Sequence, residues 1–62
     1  MEKEILKKIN REILKQAKKG ELHYYWNIVG LPKEVVGNVV IELEKDGKNV
    51  KSKGTDYKII MW

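Results

Sequence analysis

The chain has 62 residues and a mass of 7.3 kDa, with 13 Lys and Arg against 9 Asp and Glu, a net charge of +4 and a pI of about 9.4. It has no Cys and a single His, His23, which excludes disulfides, thiolate nucleophiles and the roughly four-ligand Cys or His sites of structural zinc. No apolar run approaches the roughly 20 residues that span a bilayer, and the length barely builds one core; the expectation is one cytoplasmic domain, not an enzyme, with no cofactor.

The apolar set is mostly β-branched, with seven Ile and six Val beside five Leu and no Phe. Charged residues make up 35% of the chain and are nearly all Lys and Glu, the enrichment that marks thermophile and archaeal-like compositions. Charge is uneven along the chain. Residues 1–20 carry +4, residues 21–46 carry −3 and residues 47–62 carry +3. Any electrostatic footprint comes from the two ends.

Residues 2–19 read as a helix. Ile5, Leu6, Ile9, Ile13 and Ala17 fall on one face at the helical period, and Lys3, Lys7, Arg11, Lys15 and Lys18 lie opposite. Gly20 is its C-terminal stop. Residues 21–24 are a brief strand or the start of a second helix, and Tyr24–Val29 are read as a short helix ended by Gly30. Gly30-Leu31-Pro32 is a turn that opens a helix, because Pro suits a first helical turn. That helix runs from Lys33 to Lys45, with 36, 39, 40 and 43 as its apolar face, and Asp46-Gly47 stops it.

A rival reading competes there. Val39–Lys45 is rich in β-formers, and Asp-Gly is also a hairpin turn signal, so the segment could pair as a strand with 48–53. The clean Gly-Leu-Pro start and the 36/39/40/43 face favour the helix. Residues 49–53 and 57–62 then alternate as a hairpin around Lys53-Gly54-Thr55-Asp56.

Three stretches carry a family resemblance. Gly-Leu-Pro-Lys-Glu-Val-Val resembles the turn and start of a recognition helix, Leu43-Glu-Lys-Asp-Gly47 its end, and Val50 to Ile59 a Lys-rich wing. In order, the chain resembles a winged helix-turn-helix. The resemblance implies an α+β fold of three helices followed by a C-terminal β-hairpin wing, filling residues 1–62 as one domain. It also implies a DNA-binding protein, a transcription regulator or chromatin-associated protein, whose partner is double-stranded DNA. Carried over by position, Lys33 and Asn38 on the third helix would face base edges or phosphates, and Lys48, Lys51, Lys53 and Lys58 of the wing would face phosphates.

The third-helix segment is acidic, with Glu34, Glu42, Glu44 and Asp46, and the chain has one Arg, Arg11. Recognition would therefore be mostly through the phosphate backbone, from the wing and the first helix, and weakly sequence-specific.

Bland readings stand beside these. Lysines on an edge hairpin also protect exposed strand edges, and the first helix's basic stripe is also a plain solvent face. Tyr24, Tyr25, Trp26 and Trp62 either stack on unpaired bases or fill a core that lacks Phe. Val35, Gly37 and Ile41, if outward, would make an apolar patch for a protein partner or a homodimer, which is the alternative function. His23 stands alone, so no acid–base or metal constellation can be assembled around it.

Overall fold

The computed structural model describes residues 2–62. Helix α1 spans Glu2–Lys18 and buries Ile9 and Ile13. Acids in its first turn and lysines in its last both complement the helix dipole. Its end is a Schellman cap. The Gly20 N–H donates to Ala17 O at 3.0 Å and the Glu21 N–H to Gln16 O at 2.9 Å, with Gly20 at φ 83.

Strand β1 follows, His23–Asn27. This corrects the expected short helix over 24–29 and reduces three helices to two among the described residues. Tyr-Tyr-Trp packs well on a pleated surface and poorly on a helix. The burial alternates, with His23, Tyr25 and Asn27 exposed, Tyr24 half-buried and Trp26 buried. The strand ends where Asn27 Oδ1 accepts the Val29 N–H at 2.9 Å, a local turn that competes with helix.

Helix α2, Lys33–Lys45, buries Val36, Val39 and Leu43. It has the expected bounds, so the rival strand reading of 39–45 fails. Gly47, at φ 87, makes a second Schellman cap: its N–H donates to Glu44 O and the Lys48 N–H to Leu43 O, both at 3.0 Å. Strands β2, Asn49–Lys53, and β3, Tyr57–Met61, form the expected hairpin.

The sheet is antiparallel in the order β1-β3-β2. Tyr24 and Val50 both face Ile60 across it, and Trp26 and Ser52 both face Lys58. That face packs on the helices. Ile9, Ile13, Trp26, Val36, Val39, Leu43 and Ile60 form one core cluster. The alternate residues of each strand make a second face that no helix covers. The architecture is α+β, and no helix of the described residues is long and apolar enough to cross a membrane.

Candidate nucleic-acid interface

The first turns of α2 and the tip of the β2–β3 hairpin enclose a groove of about 490 Å³. Ile28 and Leu31, from the turn before α2, join Val36 and Val40 in giving it an apolar lining, and Lys33 and Lys58 are its two basic lining residues. Lys58 lies on the helix side of β3, half-buried, and its Nζ donates to Ser52 Oγ at 2.8 Å. A half-buried lysine of this kind covers apolar surface with its stem and keeps its charged head towards solvent. Among the described residues, neither lysine pairs with a carboxylate.

Two further features shape this groove. Pro32 caps α2 in an extended conformation and no side chain satisfies the first-turn N–H groups, which leaves partial positive charge at that end. Glu34, in the same turn, opposes it. Gly37 lines the groove in mid-helix, with φ in the ordinary range, and a Cβ there would meet nothing within 4 Å. A mid-helix glycine costs about 1 kcal/mol relative to alanine. No packing inside the molecule requires it, so the space above its Cα is left open.

The residues expected to touch DNA separate into groups. Lys33 and Lys58 meet in the groove. Lys51 and Lys53 lie on the uncovered face of the sheet, opposite Ile59 and Tyr57. Lys48 follows the α2 cap, at the end of the hairpin away from its tip. Asn38 turns towards the start of α1, where its Nδ2 donates to Glu2 Oε2 at 2.9 Å. Of the expected apolar patch, Val35 is half-buried and packs against the core, Gly37 lines the groove and Ile41 is exposed one turn further on. Lys3, Lys7, Arg11 and Lys18 are all exposed along α1.

Thr55, Ile28 and Leu31 complete the groove and carry no mark of it in the sequence, because the turns that hold them meet only after β1 pairs with β3. One contact shows that closure: the Ile28 N–H donates to Asp56 O at 2.9 Å. Among the described residues, no three His, Asp or Glu side chains gather as metal ligands. Tyr24 is perturbed. Burial raises its phenol pKa above the ordinary value, and the negative charge of Glu12 adds to the rise.

Comparison of the chain with protein-family models, with curated proteins and with solved structures finds no match.

Proposed function

We propose that this chain is a small winged-helix-like DNA-binding module that holds the phosphate backbone of a duplex in the groove between α2 and the hairpin tip. The observation that carries the reading is Gly37, open in mid-helix and flanked in one groove by Lys33 and Lys58. A glycine kept at a cost in helix stability, beside two unpaired cations, suits close approach of an anionic backbone. The element order supports the same reading, with α2 in the place of a recognition helix and β2–β3 as the wing. The middle helix of the pattern is replaced by the turn after β1. Few donors on α2 face outward, so binding is carried by charge and has little base discrimination.

Fluorescence anisotropy with a short mixed-sequence duplex tests this. Affinity should fall with salt at a log–log slope of about −0.9 per phosphate contacted. Lys33→Gln and Lys58→Gln should each weaken binding and flatten that slope by about one. Gly37→Gln should weaken binding while raising the thermal midpoint, since it fills the groove and removes a helix glycine. Absence of binding at micromolar protein and low salt would end the proposal.

A second reading rests on Ile41, 51% exposed near the centre of the outward face of α2. An apolar side chain there fits a protein partner or a second copy. Ile41→Ser should then abolish self-association or partner binding and leave duplex affinity unchanged.

A further inference from the structure

The face of the sheet turned away from the helices has a composition that the groove does not use. Its two rows nearest the hairpin tip are Asn27–Tyr57–Lys53 and Tyr25–Ile59–Lys51, reading across β1, β3 and β2. Tyr25 is 47% exposed and Tyr57 41%. They sit on neighbouring strands at diagonal positions, which puts them about 7–8 Å apart. Lys53 Nζ lies 5.3 Å over the Tyr25 ring and the His23 ring lies 5.3 Å from it on centroids. Beside Tyr25 the face has a shallow, open depression of about 420 Å³ that His23, Met61 and Trp62 help to line.

We infer that this face is a second nucleic-acid site, specific for single strands, on which bases stack against Tyr25 and Tyr57 while Lys51 and Lys53 hold the phosphates. None of the three cross-strand rows contains an acid, the third being His23–Met61–Asn49. Two acids stand at the rim and in none of these rows: Glu21, 4.0 Å from His23, and Asp56, which accepts from the Thr55 hydroxyl at 3.2 Å. The face is therefore cationic and aromatic together, the pairing that single-strand binders use. Exposed rings select single strands because a duplex keeps its bases stacked on each other. The contact of Lys53 with Tyr25 is an exposed cation–π contact and weak, so the ammonium can swing to a phosphate and leave the ring to a base. Two uncompensated lysines also disfavour burying this face under a second copy, since Lys is depleted at interface cores. The site stands on the opposite side of the sheet from the groove and does not depend on it.

Titration of a labelled oligothymidylate into the full chain tests the site. Wild type should bind, with a salt slope of about −0.7 per phosphate. Tyr25→Leu and Tyr57→Leu, which keep apolar bulk on the sheet, should each weaken binding by roughly 5- to 150-fold. Circular dichroism and the thermal midpoint establish that each variant is folded. The exposed pair Lys51→Gln/Lys53→Gln is the second route should a tyrosine variant unfold, and it should flatten the slope by about 1.4. Lys33→Gln should leave oligothymidylate affinity unchanged, and Tyr25→Leu should leave duplex affinity unchanged. Three results would overturn the site: no oligothymidylate binding at low salt, a folded tyrosine variant or lysine pair that binds as wild type does, or a face that instead forms a dimer abolished by Tyr25→Lys.

Discussion

Tyr24 is a residue whose ionisation couples to the fold. It lies on the helix side of β1, half-buried, and burial first and Glu12 second raise its phenol pKa. An acid whose pKa is higher in the folded than in the unfolded chain keeps its full contribution to stability below the unfolded value. That contribution is lost as pH rises towards and through the folded value. Stability should therefore be flat in this respect below about pH 10 and decline above it. Urea midpoints measured at neutral pH and at successive steps above pH 10 check this. Tyr24→Phe should show a shallower alkaline decline, and an identical decline in both proteins would remove Tyr24 as its source.

Residues 24–29 and 46–47 show, at the scale of elements, what local sequence decides and what it leaves open. Asp46-Gly47 fits both a hairpin turn and a helix stop. It becomes a stop because the 36/39/40/43 face buries Val36, Val39 and Leu43, and a strand over 39–45 would put successive apolar residues on opposite faces. That choice is legible from the Gly-Leu-Pro start and the spacing of the apolar face. The strand β1 is less so. Alternation of Tyr24, Trp26 and Ile28 against His23, Tyr25 and Asn27 is present in the sequence, but the same stretch also reads as a short helix ended by Gly30. Its partner β3 is distant in sequence, as in the pairing of Tyr25 with Ile59, and no local pattern announces such a pairing. The groove shares the difficulty, because Lys33 comes from the acidic middle and Lys58 from the basic C-terminal third. The lysines of the hairpin read alike in sequence, yet Lys58 turns to the groove and Lys51 and Lys53 to the opposite face. The cap itself is testable. Gly47→Ala forces an L-residue into the left-handed region and should cost about 1–2 kcal/mol. In a domain of this size that lowers the thermal midpoint by about 4–8 °C for each kcal/mol. D-Alanine at the same position, introduced by chemical synthesis, should restore the midpoint. A loss of equal size with D-alanine would show that the positive φ is not the cause.

At the scale of the whole molecule, one cluster holds every layer. α1 supplies Ile9 and Ile13, β1 Trp26, α2 Val36, Val39 and Leu43, and β3 Ile60. The strand β2 contributes no fully buried side chain, only the half-buried Val50, so it is held through its pairing with β3. The binding surfaces proposed above lie on both sides of this cluster, and both depend on β3 staying between its neighbours. Because no layer has a core of its own, the chain should unfold as one unit. Ellipticity of the helices and emission of Trp26, read in a Trp62→Phe background, should give coincident melts. Leu43 is 0% exposed, and replacing a buried leucine by alanine costs about 2–5 kcal/mol. A core in a domain this small rarely supplies more than about 3–5 kcal/mol of net stability. Leu43→Ala should accordingly be largely unfolded at room temperature in both signals at once. Helical ellipticity surviving in Leu43→Ala after Trp26 emission has shifted to that of exposed indole would mean that α1 or α2 holds independently of the shared core.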